Sequence, residues 1–175
     1  MSRVFRKAGW PDLDAIVSIY NDIHTEIEAG RNPLLWARGV YPTAETAAEG
    51  IEKGEMFVLC IDGEIASAAR INREQMPEYV NAEWRYEADD YDVLVLHTLV
   101  VSPSRFRTGC ATAMVRFYEG LARANGIGHL RFDTMQVNSP ARALYRSLGF
   151  FEAGLVPCTF NGIPNVMLVC LEKEL

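Results

Sequence analysis

The chain has 175 residues, 49% of them hydrophobic and 23% charged, which is enough for one well-buried core and short for two domains. Seventeen Lys and Arg against 23 Asp and Glu give a formal net charge of -6, whereas proteins held on nucleic acid by phosphate contacts need a basic excess. No apolar run approaches the roughly 20 residues that cross a bilayer, and no cleavable signal is visible. We therefore expect one domain over residues 1–175, cytoplasmic, with neither nucleic acid nor membrane as partner.

The first elements are a short strand at residues 4–6 and a long helix that begins after Asp12 and ends near Gly30. Apolar positions recur along this helix at three- and four-residue spacing; they are Leu13, Ile16, Val17, Tyr20, Ile23, His24 and Ile27. Because His24 belongs to this apolar stripe, we expect it to be a packed histidine and not a ligand.

A loop, a short helix and a hairpin follow. Residues 31–41 show no periodicity and predict a loop, after which Thr43 starts a helix that ends near Lys53. Residues 55–61 and 64–71 are strand-like runs joined by Asp62-Gly63, a dipeptide that favours a tight hairpin turn because both residues tolerate positive φ.

Residues 74–92 form an acidic segment with interleaved aromatic residues. Its acids, set against Arg85, are Glu74, Glu78, Glu83, Glu87, Asp89, Asp90 and Asp92, and its aromatic residues are Tyr79, Trp84, Tyr86 and Tyr91. Such a charge run usually indicates a solvated surface. Next to a binding cleft, it would also attract a cationic ligand.

The run VLVLHTLVV at residues 93–101 is apolar and β-branched, as expected for a central strand covered on both faces. A small-residue turn leads from it into a helix that ends near Asn125. A further strand is predicted at residues 130–137. After it, Ser139 is expected as N-cap with Pro140 at the first helical position, in a helix that ends at Gly149.

Two closing strands complete the predicted elements. They cover residues 150–156 and 166–171 and are separated by a turn at residues 161–164.

The turn between the central strand and the next helix suits a phosphate group. The first backbone N–H groups of a helix are unpaired and lie at the positive end of its dipole, and Gly109 would let a ligand approach the main chain. Gly109 and Ala111 could equally serve close packing of helix on strand. A local basic bias favours an anionic ligand: residues 101–150 hold Arg105, Arg107, Arg116, Arg123, Arg131, Arg142 and Arg146 against only Glu119 and Asp133.

Two motifs carry a resemblance to a known family. One is Leu99-Val100-Val101-Ser102-Pro103 running into Arg107-Thr108-Gly109-Cys110-Ala111, and the other, more specific, is Asn138-x-x-Ala141-x-x-Leu144-Tyr145-x-x-Leu148-Gly149-Phe150. Together with the element order over almost the whole chain, they resemble the GNAT superfamily of acetyl-CoA-dependent N-acetyltransferases. The resemblance implies an α/β (α+β) fold in which four helices flank a mixed, mostly antiparallel sheet of about seven strands.

The resemblance also implies an acetyl-CoA site with no metal. Its expected members are the main chain of the central strand along the pantetheine arm, the turn on the pyrophosphate, and three residues of the last helix region. They are Leu99, Val100, Val101, Arg107, Thr108, Gly109, Cys110, Ala111, Thr112, Asn138, Ala141 and Tyr145. The family usually has Arg or Gln where this chain has Phe106, so we expect Arg105 or Arg107 to supply that charge. Without the family, Asn138 is equally well explained as a turn residue.

Two catalytic roles follow from the resemblance. Tyr145 matches the tyrosine that protonates the leaving thiolate, although at its place on an apolar stripe it could be ordinary packing. His97 is the candidate general base, since it lies two residues before Leu99 and would share its side of the strand. A hydrogen-bonded core histidine is the competing explanation, and Glu83, Asp92 or a water molecule are competing bases.

We therefore expect an N-acetyltransferase that moves an acetyl group directly from the thioester to a primary amine, favouring a small and cationic one. The alternative is a catalytically silent acyl-CoA sensor on the same fold. The acceptor is left open among polyamines, amino acids, drugs and protein amines. The oligomeric state is open too, although homodimers are common among similar proteins.

Four separated cysteines complete the expectations. Cys60, Cys110, Cys158 and Cys170 form no Cys-x-x-Cys pair and no Cys/His cluster, so neither a metal site nor a redox motif is expected. Free thiols in a reducing compartment follow from this arrangement.

Overall fold

The computed structural model describes residues 2–175, and in this part of the chain seven strands form one sheet. The strands are β1 Arg3–Lys7, β2 Met56–Ile61, β3 Glu64–Asn72, β4 Val93–Val101, β5 His129–Met135, β6 Phe151–Phe160 and β7 Ile163–Glu174. Their order in the sheet is β1-β2-β3-β4-β5-β7-β6. Four α-helices accompany them: α1 Leu13–Glu28, α2 Ala44–Glu52, α3 Cys110–Ala124 and α4 Ser139–Ser147.

The sheet is mixed and mostly antiparallel. The pairs β1 with β2, β2 with β3, β5 with β7 and β6 with β7 are antiparallel, whereas β4 and β5 run parallel, residues 93–96 pairing with residues 129–132. A parallel neighbour requires a crossover connection, and α3 supplies it here. The predicted fold class and element order are confirmed.

The chain divides into two compact units, and β4 and α3 each contribute residues to both. The first unit runs to Ile71 and includes Thr98–Phe117, and the second consists of Asn72–His97 and Tyr118–Leu175.

In the first unit, α1 packs its apolar stripe on the strands. Ile16, Ile19, Tyr20 and Ile23 are buried with Met56, Val58, Ala68 and Val100. His24 is 2% exposed, and its Nε2 lies 3.1 Å from the carbonyl oxygen of Pro42. His24 is therefore the packed histidine that the stripe predicted.

In the second unit, an aromatic cluster fills the space between α4 and the sheet. Phe132 makes edge-to-face contacts with Tyr145 and Phe150, at centroid distances of 4.7 and 4.8 Å. The hydroxyl of Tyr118 donates to the carbonyl oxygen of Leu94. The Tyr145 contact fixes the inner face of α4, and the Tyr118 bond ties α3 to β4.

Most element boundaries agree with the sequence predictions to within two residues. At α4 the prediction was wrong by one position, because Asn138 and not Ser139 occupies the N-cap, and Ser139 is the first helical residue. The closing strands extend to 160 and from 163, because Asn161 and Gly162, both at positive φ, complete the reversal. No helix among residues 2–175 is long and apolar enough to cross a membrane.

Candidate active site

The turn before α3 has an exposed backbone with two left-handed residues. Gly109 has φ of +82° and Arg107 has φ of +62°. A Cβ built on Gly109 would meet no atom within 4 Å, so the main chain is open to an approaching group. The Thr108 hydroxyl donates to the carbonyl oxygen of Arg105 at 2.6 Å, which closes the turn.

This geometry fits an anion. Helix α3 begins at Cys110, and its first N–H groups have no acceptor within the helix. A helix start combined with a left-handed glycine presents several N–H groups to one phosphate. The turn can therefore hold a phosphate group, and Thr108, Gly109, Cys110, Ala111 and Thr112 are the residues whose main chain would contact it.

The structure distinguishes the two arginines beside Phe106. Arg105 forms an ion pair with Glu64 at 3.6 Å, whereas Arg107 is exposed on left-handed backbone one residue before Thr108. Phe106 itself is 42% exposed and offers no charge. Arg107 is thus the better placed of the two to supply the missing positive group.

Strand β4 changes character along its length. Residues 93–96 are fully buried, whereas His97, Thr98 and Leu99 are half-buried. Thr98 has φ of +50°, which is rare for a β-branched residue and costs of the order of 1–3 kcal/mol. Side chains do not alternate regularly across such a residue, so the expectation that His97 lies on the same side of the strand as Leu99 loses its basis.

His97 is hydrogen-bonded through its side chain. Its Nε2 lies 2.8 Å from Asn72 Oδ1, and the backbone N–H of Glu74 donates to the same oxygen at 2.9 Å. Because a backbone N–H can only donate, this atom is an acceptor and His97 must donate to it. Neutral His97 therefore carries its proton on Nε2 and its lone pair on Nδ1.

Tyr145 is 7% exposed and lies in the aromatic cluster of the second unit. Burial raises the pKa of its hydroxyl above the ordinary value, and the nearby charge of Asp133 raises it further. The hydroxyl thus keeps its proton at neutral pH. A protonated hydroxyl is what a general acid requires, and tight packing also agrees with the simpler role of a core residue.

Asp133 is a chemically capable residue that the sequence analysis treated only as part of a charge count. It lies on β5 and accepts a hydrogen bond from the Tyr79 hydroxyl at 2.7 Å. Burial raises the pKa of its carboxyl group to about 6, against the lowering effect of the Tyr79 bond. An acid in the middle of a largely buried strand was the available clue, but its tyrosine partner is 54 residues away in sequence.

The acidic segment 74–92 is packed by its aromatic residues and not merely solvated. Tyr79 is 2% exposed, and Trp84 packs against it and donates from its indole N–H to the Tyr79 carbonyl oxygen at 2.9 Å. The guanidinium of Arg131 lies 4.3 Å from the Trp84 ring centroid. The prediction of a solvated surface holds for five of the seven acids, Glu74, Glu83, Glu87, Asp89 and Asp90, which are exposed. It does not hold for the packed rings of Tyr79 and Trp84.

Asp92 has a structural partner set. Its carboxylate accepts from the backbone N–H of Gly128 at 2.6 Å and contacts His129 Nδ1 at 2.9 Å. The Gly128 bond, followed by His129, lowers the pKa of Asp92. A lowered pKa makes a carboxylate a weaker base, so Asp92 loses ground as a candidate base.

Three of the arginines counted between residues 101 and 150 already have partners within the second unit. Arg142 and Arg146 both pair with Glu152, at 2.9 and 3.0 Å, and Arg131 is 6% exposed beneath Trp84. The count of arginines is therefore weak support for an anionic ligand. The open turn at Gly109 is the stronger argument.

The other predicted site residues are divided between the two units. Leu99, Val100 and Val101 lie in the first unit with the turn, and Asn138 and Ala141 lie with Tyr145 in the second. The Asn138 amide donates to Thr134 Oγ1 at 3.1 Å, which is the behaviour of a turn residue and does not address ligand contact.

All four cysteines are free, and three of them are buried. The partly buried one is Cys158, whose thiol pKa is raised to about 11 by burial, with Glu78 and Asp133 adding to the effect. A protonated thiol is a poor nucleophile. Among residues 2–175 no group of three or more His, Cys, Asp or Glu is arranged to hold a metal ion.

Comparison with known sequences gives one family and one partial relative. Residues 13–150 match the acetyltransferase (GNAT) family. A streptothricin acetyltransferase from Streptomyces lavendulae is 32% identical over 69 residues, covering 39% of this chain and 36% of that protein. The match thus spans little more than a third of the length of the relative.

Solved structures resemble the chain over nearly its full length. An acetyltransferase of the GNAT family from Streptococcus agalactiae 2603 superposes with a TM-score of 0.80 at 22% identity, over 99% of this chain and 95% of that one. The ribosomal-protein-S18-alanine N-acetyltransferase of Escherichia coli has a TM-score of 0.68 at 20% identity, over 99% and 94%. At these identities the likeness concerns the fold.

Proposed function

The chain belongs to the acetyltransferase (GNAT) family, whose members generally use acetyl-CoA, and we propose that it transfers an acetyl group from acetyl-CoA to a primary amine of a small molecule. The observation that carries the acyl-CoA part is the exposed turn at Gly109, with left-handed backbone, open space and a helix start behind it. The partial similarity to a streptothricin acetyltransferase supports a small-molecule acceptor.

The reaction needs one proton removed and one supplied. An amine attacks the thioester carbonyl through its lone pair, so a base must hold the proton that its ammonium form or the adduct releases. The carbonyl oxygen gains negative charge, which backbone N–H groups at the half-buried end of β4 stabilise. The carbon–sulfur bond then breaks, and the thiolate takes a proton from the Tyr145 hydroxyl. The tyrosinate regains a proton from solvent, and the base releases the proton that it accepted from the amine.

Two residues compete for the role of base. His97 holds its lone pair on Nδ1, and Asp133 has a pKa raised to about 6, which suits a carboxylate that must accept a proton near neutral pH. If Asp133 is the base, Asp133→Asn removes the acidic limb of the kcat/KM profile and His97→Ala leaves it. If His97 is the base, His97→Ala removes the acidic limb of the kcat/KM profile and Asp133→Asn leaves it.

The test of the proposal is thiol release from acetyl-CoA in the presence of a panel of primary amines. We expect release with at least one small amine, and thermal stabilisation of the protein by acetyl-CoA alone. Tyr145→Phe keeps the ring and its contacts with Phe132, so it should lower kcat by about 100-fold or more with little change in acetyl-CoA affinity. A Tyr145→Phe enzyme with unchanged kcat would reduce Tyr145 to packing.

The second candidate is a catalytically silent acyl-CoA sensor. Phe106 favours it, since an apolar side chain stands where the family usually has Arg or Gln. Stabilisation by acetyl-CoA without thiol release from any amine would support the sensor. In either case we propose action in the cytoplasm, where free cysteines such as Cys158 stay reduced.

A further inference from the structure

Thr98 combines two features that rarely occur together. Five non-glycine residues among those described have positive φ; they are Asp62, Thr98, Arg107, Asn161 and Asn165. Three of them, Asp62, Asn161 and Asn165, belong to the residue types that tolerate this conformation best. Thr98 is β-branched and lies in the interior of β4. Contacts with other residues must therefore stabilise its left-handed conformation.

The Tyr41 side chain is in contact with this residue. The Tyr41 hydroxyl and Thr98 Oγ1 are hydrogen-bonded. Tyr41 comes from the loop between α1 and α2, 57 residues earlier in the sequence. The contact therefore joins a loop side chain to the one distorted position of the central strand.

The loop that carries Tyr41 is itself anchored. Trp36 packs edge-to-face on the Tyr41 ring at 5.6 Å, and Ala37 forms a β-bridge with Tyr41. Arg38 pairs with Glu28 of α1 at 2.8 Å. These contacts hold the loop and the Tyr41 ring in the position from which the hydroxyl bonds to Thr98.

A left-handed residue re-aims the peptide groups on both sides of it, as a β-bulge does. In β4 these two peptide groups carry the N–H of Thr98 and the N–H of Leu99. They lie at the end of the strand where the proposed reaction needs a backbone N–H directed at the thioester carbonyl oxygen. If only the fold required a positive φ at position 98, glycine would adopt it with less strain. Threonine adds a hydroxyl that Tyr41 can hold.

We propose that Tyr41 is a positioning residue for acetyl transfer: its hydroxyl holds Thr98 in the left-handed conformation and so sets the direction of the N–H groups near Leu99. This inference rests on the proposed function for its catalytic part. The positional part concerns the free protein and can be measured without any substrate.

The test compares Tyr41→Phe with Tyr20→Phe, both made in the full chain. Each variant loses one hydroxyl, but the Tyr20 hydroxyl is buried without a hydrogen-bond partner. We expect Tyr41→Phe to lower kcat by about 10- to 100-fold, with acetyl-CoA affinity within about twofold of the wild type and the midpoint of the pH profile unchanged. Tyr20→Phe should keep the wild-type kcat.

A second pair tests the other partner. Thr98→Val keeps the shape and the strain but loses the hydroxyl, whereas Thr98→Ser keeps the hydroxyl. We expect Thr98→Val to lower kcat as much as Tyr41→Phe does, and Thr98→Ser to keep most of the wild-type kcat. The double variant Thr98→Val, Tyr41→Phe should have a kcat no lower than either single variant. Additive losses, or an active Tyr41→Phe enzyme, would overturn the proposal.

Amide NMR of the free protein separates this inference from the proposed function. We expect the resonances and hydrogen exchange of residues 97–100 to change in Tyr41→Phe and to stay unchanged in Tyr20→Phe. If no amine supports thiol release but the amides respond, the proposed function fails and the positional role stands. Unchanged amides would overturn the positional role whatever the activity.

Discussion

Residues 74–92 precede strand β4 and residues 102–109 follow it, and different interactions stabilise the two segments. The first is anchored by large side chains, with Tyr79 buried, Trp84 between Tyr79 and Arg131, and the Tyr79 hydroxyl on Asp133. The second is exposed and is shaped by main-chain conformation at Arg107 and Gly109. Side-chain packing therefore dominates before the strand and backbone geometry after it.

Stability and ligand binding can therefore be perturbed separately in these two segments. Removing a ring from the first segment should cost folding free energy, because the ring is packed. Adding an atom to the second should cost ligand affinity, because its surface is open and its backbone must be approached.

Trp84→Ala should lower the free energy of unfolding by about 3 kcal/mol, since it removes a packed ring and leaves the buried Arg131 without its cation–π partner. Chemical denaturation measures this change. Trp10→Ala is the control, because Trp10 is 58% exposed and should cost much less. Equal costs at both positions would contradict the view that the aromatic residues of segment 74–92 anchor it.

Gly109→Val should weaken acetyl-CoA binding by about 100-fold, which is about 2.7 kcal/mol, because a β-branched side chain would fill the space above the turn. Gly126→Val is the matched control, since Gly126 also has positive φ, +66°, and open space around it. Both variants should lose similar stability from backbone strain. Calorimetric titration that finds equal acetyl-CoA affinity in the two would remove the turn as the pyrophosphate site.

Asp133→Asn should stabilise the protein above pH 6 by about 1–2 kcal/mol, because it removes a charge that is half-buried and only partly solvated. The folded pKa of Asp133, about 6, exceeds the unfolded value, so wild-type stability falls as the pH rises from about 4 to about 6. Asparagine resembles the protonated acid, and the gain should therefore vanish near pH 4. Thermal melts across this pH range provide the measurement.

Asp92→Asn gives the opposite sign and serves as the control for Asp133. The folded pKa of Asp92 is lowered by Gly128 and His129, so its ionised form adds stability above its unfolded pKa and loses it as the pH falls. Asp92→Asn should therefore destabilise the protein at neutral pH. Changes of the same sign in both variants would show that the environments of the two carboxyl groups are misassigned.

The double variant Glu83→Gln, Glu87→Gln should change the free energy of unfolding by less than about 0.5 kcal/mol, because both side chains are exposed. If the acceptor is a cationic amine, its KM should rise about twofold at low salt and return to the wild-type value at high salt. KM measured against salt for both proteins decides this. A KM that is independent of salt in the wild type would leave these acids as solvated surface.

Periodicity and turn chemistry predicted most of the fold. The α1 stripe, the Asp62-Gly63 hairpin and the unbroken apolar run of β4 all rest on local preferences, which act within a few residues. Small errors arose where two neighbours compete for one role, as Ser139 and Asn138 do at the N-cap of α4. The family motifs directed attention to Gly109 and Tyr145, but how these residues contact acetyl-CoA stays a prediction.

The element order and the glycine turn could be predicted from local sequence, because each depends on residues close together along the chain, whereas the mixed sheet was implied by the resemblance to the family. Only the tertiary structure decided which charged groups matter: Asp133 gains its raised pKa from burial and its partner Tyr79 from 54 residues away, while Asp92 is held by Gly128 and His129. The left-handed Thr98 and its bond to Tyr41 depend likewise on a loop that local sequence preferences do not place. Burial and long-range hydrogen bonds set these properties, and no pattern of neighbouring residues encodes them.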